Sequence, residues 1–374
     1  MRKAFILSIV CLMILAFSGI TFGQDVVKIG LTAPITGNYA EFGENFQYAV
    51  QLAADIINEQ GGIRGRMVEI VVRDSQGVPS ESASIATEFV QNRDIVAQIG
   101  DFTSTCCLAA APIFERAGMV QLSPTSSHPD FAPSGRYMFG VVGTQASEGP
   151  FNVEFLAQEY MGIESVGVIY INNDWGDATQ HYFVEAANEK GLEVTAIEPF
   201  FEGERDFTAI LTSLRRDDPE GLYVVAMYNE GSLIARQARR MGWDVKFLGP
   251  SSLFSEQFIT LGEESVEGFV TNTFFALDDP NPEVQAFIEE FRARADRFPN
   301  LHAACAYDSM MILADAIERA GFDRSDIRDA LAETQDFPGI TGSLTFTEVG
   351  DIVRQYMVMV VENGAWEVKA DYMR

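Results

Sequence analysis

Short apolar runs alternate with amphipathic stretches along most of this chain. "VVKIGLTAPI" reads as a buried strand. In "GENFQYAVQLAADIINEQGG", Phe46, Val50, Ala53 and Ile57 recur at helical spacing, and Gly61-Gly62 stops the helix. "MVEIVVRD" is the next strand, "SESASIATEFVQNR" a helix that Ser80 can cap, and "DIVAQIG" a third strand. "APIFERAG" ends the following helix and "MVQLSPTSS" opens a fourth strand. Near Gly143 the pattern restarts. "EGPFNVEFLAQEYM", "DATQHYFVEAANEKG", "DFTAILTSLRRD" and "EGSLIARQARRMG" read as helices, interleaved with strands "SVGVIYIN", "LEVTAIEPF", "GLYVVAMY" and "VKFLGP". From about Asn281 three helices run in succession, and the chain closes on strand-like "GSLTFT" and "QYMVMVVENGAWEV".

Continuous apolar strands alternating with helices predict parallel sheets covered on both faces. Two such series predict an α/β protein of two doubly wound lobes. In that architecture ligands sit beyond the carboxyl ends of the strands, so the loops after "AQIG", "VQLS", "VIYI", "VVAM" and "KFLG" are where function is expected.

The chain begins with Arg2 and Lys3, an apolar run from Ala4 to Phe17, and small residues with Thr21 and Gly23 at the −3 and −1 positions of a cleavage site. This predicts a signal peptide over residues 1–23. The run is shorter than the ~20 residues of a spanning helix, and Val10 before Cys11 argues against a lipidation site. The mature chain is expected to be periplasmic. The formal net charge is −28, and becomes −30 once Arg2 and Lys3 leave with the leader. Such a surface repels nucleic acid and anionic headgroups, so an anion site must be local and built from aimed donors. Cys106, Cys107 and Cys305 remain, an odd number with no disulfide framework.

After "AQIG" come Asp101, Phe102, Thr103, Ser104 and Thr105 at the start of an Ala-rich helix. Free N–H groups and the positive dipole end suit a carboxylate there; the alternative is that Ser104 or Thr103 only caps the helix. Thr125, Ser126 and Ser127 follow the next strand. Ser127-His128 admits a serine hydrolase, although Pro129 follows directly and no G-x-S-x-G elbow is present. Three scattered histidines give no zinc spacing. Trp175 and Tyr228 sit at second-lobe strand ends and Phe42 after the first strand, positions suited to ligand walls, as Phe102 is.

At these loops the chain resembles the leucine/isoleucine/valine-binding protein family, type I periplasmic receptors of ABC importers. The resemblance is carried by "KIGLTAPITGNYAEFGENFQYAVQLAADIINEQGGIRGRMVEIVVRDSQGVP", "AQIGDFTSTCCLAAAPIFERAGMVQLSPTSS", "DWGDATQHYFVEAANEKG", "GERDFTAILTSLRRDDPEGLYVVAMYNEGSLIARQARRMG" and "GEESVEGFVTNTFF". It implies three crossover hinges, placed near Val142–Thr144, Asn272–Ala276 and Thr341–Thr345. The first lobe would be 25–142 with 276–341, the second 144–272 with 345–374. It further implies ligand carboxylate contacts at Ser104, Thr125 and Ser127, walls at Phe42, Trp175 and Tyr228, a monomer serving an inner-membrane permease and ATPase, and neither catalysis nor a cofactor or metal.

One position departs. Where amino-acid receptors of the family place an acidic residue for the ligand ammonium, this chain has Ser251. Either Glu230 or Asp308 supplies the carboxylate, or the ligand is an aromatic or branched acid without an amine. The family's disulfide is also missing, since Gln76 and Thr103 stand near its positions. A ligand-sensing partner of a membrane receptor would share the same cleft.

Overall fold

A computed structural model describes residues 25–369; the expected leader, residues 1–23, lies outside the described residues. In chain order the first lobe opens with β1 (Val26–Ala33), α1 (Ala40–Glu59), β2 (Met67–Asp74), α2 (Pro79–Gln91), β3 (Ile95–Ile99), α3 (Ser104–Ala117), β4 (Val120–Ser123) and β5 (Met138–Gly140). These strands form one parallel sheet in the order β2-β1-β3-β4-β5. Every residue of β3 and β4 is buried, as a sheet covered on both faces requires.

The chain then enters a second unit: α4 (Gln145–Phe151), which continues in wider π-type turns over Asn152–Tyr160, then β6 (Ser165–Ile171), α5 (Asp174–Lys190), β7 (Glu193–Phe200), α6 (Thr208–Arg215), β8 (Gly221–Val225), α7 (Tyr228–Arg240), β9 (Lys246–Leu248), α8 (Glu256–Gly262) and β10 (Val270–Thr273). Next come α9 (Pro282–Ala295), α10 (Leu301–Ala320), α11 (Arg324–Ala332), β11 (Phe337–Gly339), β12 (Gly342–Leu344), β13 (Met357–Glu362) and β14 (Ala365–Lys369). The second sheet runs β14-β13-β10-β9-β8-β6-β7, and only β13 and β14 are antiparallel to their neighbours. The final strands thus make this sheet mixed.

Helices α9 to α11 return to the first lobe, with α10 packed along α1. Beyond the end of α9, Arg297 pairs with Glu44 at 3.0 Å, and within it Arg294 pairs with Asp55 at 2.5 Å. "GSLTFT" does not carry the chain into the second sheet. Its Gly342–Leu344 pairs with Phe337–Gly339 as a small hairpin. The Phe346 ring then packs on Phe139 at 5.1 Å, and Gly140 N–H donates to Gly350 O at 2.9 Å. The third crossing therefore falls between Ile352 and Met357, later than the expected Thr341–Thr345, and residues 345–350 stay beside the first sheet.

A buried guanidinium holds the crossings together. Arg354 donates from Nε to Val141 O at 2.8 Å and from Nη1 to Thr341 O at 3.1 Å. Asp308 belongs to this cluster. It accepts from Ile340 N–H at 2.9 Å, from Thr341 N–H at 3.0 Å and from the Thr341 hydroxyl. The lobes meet across the cleft: the Tyr228 hydroxyl donates to Glu41 Oε2 at 2.5 Å, and Asn38 Nδ2 to Glu202 Oε1 at 3.1 Å.

Candidate ligand-binding site

On the first-lobe face the cavity begins at α3. Thr103 Oγ1 accepts from Cys106 N–H at 3.2 Å, so capping falls to Thr103. Ser104 is thereby left free of capping. It is 2 % exposed, and its Oγ has no partner among the described residues. It lies where the first-turn N–H groups lack helical acceptors and the dipole is positive. Thr125, expected to contribute its backbone N–H, also lines the cavity; that N–H donates to Ser123 Oγ at 3.3 Å, and its hydroxyl donates to Phe102 O at 2.7 Å. Ser127 Oγ accepts from Gln145 Nε2, which leaves its own O–H to donate to a ligand. The hydrolase pair is not assembled, because His128 Nδ1 instead accepts from Asp130 N–H at 3.1 Å. Cys106 and Cys107 are buried free thiols; burial pushes Cys106 up to about 12, so it stays neutral.

The second-lobe face is set by α5 and the loop after β9. Asn173 caps α5 through Gly176 N–H at 2.8 Å, and Trp175 lines the cavity beside it. Residue 176 must be glycine, since a Cβ there would lie 1.8 Å from Ile171 O. Ser251 lines the cavity and turns its N–H to Glu148 Oε1 at 2.8 Å. Asn272 Nδ2 donates to the same oxygen at 2.9 Å and to Asn152 Oδ1 at 2.7 Å. Glu148 is 5 % exposed and lines the cavity. Its described partners are both neutral donors, and both are on Oε1. Oε2 has none among the described residues.

This carboxylate corrects two expectations. Glu230 lies in α7 but lines a separate hollow with Asn38, Glu204 and Arg236, where burial raises its carboxyl. Asp308 is committed to the crossings, as described above. Neither reaches the cavity, and Glu148 does. Nothing in the sequence marks it, because it sits just past a crossover in a stretch that reads only as helix.

The walls also differ in part. Phe102 and Trp175 line the cavity, together with Tyr39. Phe42 does not: its ring stacks behind Phe102 at 4.3 Å and 16°. Tyr228 packs on Phe42 at 5.4 Å, with its hydroxyl on Glu41, so it closes the cleft rather than lining it. His302, from the first turn of α10, lines the cavity as well; in the sequence it stands out only as one of three scattered histidines. The enclosed space is small, about 40 Å³.

Two α/β lobes, bridged three times and meeting over a cavity with aimed hydroxyls on one side and a buried carboxylate on the other, define a two-lobed receptor for a small solute. A family model described as periplasmic binding protein matches residues 26–365, and the chain belongs to that family. Its curated relatives include leucine/isoleucine/valine-binding proteins, as the sequence motifs indicated. The leucine-, isoleucine-, valine-, threonine- and alanine-binding protein of Pseudomonas aeruginosa is 26 % identical over 342 residues, 91 % of this chain and 90 % of its own. Among solved structures, the branched-chain amino acid transporter substrate-binding protein LivJ of Streptococcus pneumoniae, in complex with isoleucine, superposes with TM-score 0.85 at 30 % identity. That match covers 92 % of this chain and 99 % of the other. A leucine-binding protein of Thermotoga maritima gives TM-score 0.86 at 29 % identity, covering 92 % and 98 %.

Proposed function

We infer that this protein is the periplasmic receptor of an ABC importer and holds one α-amino acid between its lobes. Ser104 and Ser127, with the first-turn N–H groups of α3, take the carboxylate. Glu148 takes the ammonium through Oε2. The observation that carries this reading is Glu148: a carboxylate buried among neutral partners is costly, and a ligand cation relieves that cost. The names of the relatives support the same ligand class. A carboxylic acid without an amine is the weaker reading, since it leaves Glu148 unpaired.

Delivery follows from hinge motion at the three crossings, with residues 1–23 directing export. A membrane permease and its ATPase are the expected partners. The test is titration calorimetry on ligand-stripped protein, comparing α-amino acids with their deaminated analogues. Amino acids are expected to bind and the analogues to bind far more weakly. Equal or tighter binding of the analogues overturns the assignment.

A further inference from the structure

His302 lines the cavity with an imidazole that makes no hydrogen bond among the described residues. It is 7 % exposed, and Nδ1 is covered without a partner. Neither ring nitrogen makes a hydrogen bond to any described group. The ring is fixed by aromatic edges instead: it stands at 88° to Phe42 at 5.2 Å and at 79° to Phe102 at 5.5 Å. The backbone beneath it is equally fixed, because Asn300 Oδ1 accepts from Ala303 N–H at 3.0 Å at the start of α10. A rigid imidazole is thus presented to a cavity that has ordinary apolar and aromatic walls elsewhere, at Val142, Met227 and Trp175.

A buried donor or acceptor without a partner is destabilising, whereas an apolar side chain of similar size would leave no such group unpaired. Nδ1 is covered, so the ring nitrogen left for a ligand is Nε2, which makes no hydrogen bond among the described residues. The carboxylate and ammonium contacts are already assigned to Ser104, Ser127 and Glu148. What remains of an α-amino acid is its side chain. Resting on the amino-acid reading above, we propose that His302 is a specificity residue that selects ligands whose side chain carries a hydrogen-bonding group, a hydroxyl or an amide, over aliphatic isosteres. Burial holds the ring well below the ordinary histidine range, at about 4, so it acts as a neutral donor and acceptor at neutral pH and not as a second cation. No charged neighbour contributes to that shift.

The experiment compares near-isosteric pairs by calorimetry on ligand-stripped protein: threonine with valine, and asparagine with leucine. In the natural protein the polar member of at least one pair is expected to bind at least about tenfold tighter, the scale of one buried hydrogen bond. In His302→Phe that preference should vanish or invert. In His302→Gln, which keeps a donor and an acceptor, it should persist, and this second variant separates a lost contact from a damaged fold. Glu148→Gln should weaken both members of a pair alike and keep their ratio. If the aliphatic member binds as tightly or tighter in both pairs, the selection role is overturned while the amino-acid reading stands. If no member of a panel of the twenty amino acids binds, the amino-acid reading itself falls, and this role with it.

Discussion

The sharpest perturbation is Glu148→Gln. The two faces of this carboxylate are not equivalent. Oε1 accepts two hydrogen bonds, from Ser251 N–H at 2.8 Å and from Asn272 Nδ2 at 2.9 Å. A glutamine must place its amide oxygen there, because its NH₂ would otherwise face two donors. The NH₂ group then occupies the position of Oε2 and meets a ligand ammonium donor to donor. The variant therefore removes the charge and supplies nothing in exchange. Breaking a buried ion pair by deleting one partner costs about 3 to 5 kcal/mol, so the dissociation constant for an amino acid should rise at least about 150-fold. Without ligand the variant should melt at the same temperature or higher, since an unpaired buried carboxylate has been neutralised. The assay is a double cycle: natural protein and variant, each titrated with the best amino acid and with its deaminated analogue. The coupling energy of that cycle isolates the ammonium contact. A coupling near zero, or an amino-acid affinity within about threefold of the natural protein, would refute the placement of the ammonium on Glu148.

Three further outcomes follow from the same geometry. Ser104→Ala should weaken binding by about 1.5 to 3 kcal/mol, the scale of a hydrogen bond to a charged group, while the melting temperature without ligand holds or rises because an unpartnered hydroxyl is removed; unchanged affinity by calorimetry would empty the carboxylate assignment. Tyr228→Phe deletes the 2.5 Å contact to Glu41 across the cleft, so stopped-flow should show ligand dissociation about 5- to 30-fold faster with little change in association; a change confined to the association rate would contradict a closure role. His302 has a folded-state value near 4 against 6.5 for the free group. The unfolded chain therefore binds the extra proton first as pH falls, and the stability due to the neutral ring is full above about 6.5 and is lost on the way down to 4. Relative to His302→Phe, the natural protein should lose about 2 kcal/mol of unfolding free energy between about pH 7.5 and about pH 5, read from urea melts; parallel pH profiles for the two proteins would show that the ring is not buried neutral.

Much of the site was legible because strand-helix alternation locates the carboxyl ends of parallel strands without any contact information. That rule locates the two hydroxyl loops, and the family resemblance singles out Ser104 and Ser127 within them. The sequence leaves open whether Ser104 or Thr103 caps the helix, and the geometry gives the cap to Thr103. Helical phase is harder to read. Asp308 and His302 share α10, yet they are six residues apart, about 9 Å along the axis. Periodicity does not say which turn faces the cleft, and the turn that does is the one at the helix start. Phe42 does lie beside the first strand, as expected, but the bulk of Phe102 in front of it turns a ligand wall into a supporting layer. The third crossing departs from its expected place for a related reason. A strand-like run such as "GSLTFT" has no intrinsic partner, and here it folds back on Phe337–Gly339.

The departure at Ser251 shows most clearly what a linear reading misses. A missing acid at one position looks like a missing function, or like a different ligand. In the folded protein Ser251 contributes its backbone N–H to hold another acid in the same cavity. That acid comes from the first turn after a crossover, and Asn272, which also holds it, comes from β10. Three segments far apart in sequence thus converge on one oxygen. The chemistry a binding site requires is fixed by its ligand, but the residue that supplies it is fixed only by proximity. A charge can migrate between segments if the donors that orient it migrate too. For this reason the pair to examine in relatives lacking the acid at the Ser251 position is the residue at the Glu148 position together with that at Asn272. An acid that arrives without its two donors would be an unsupported buried charge, and selection for folding would remove it.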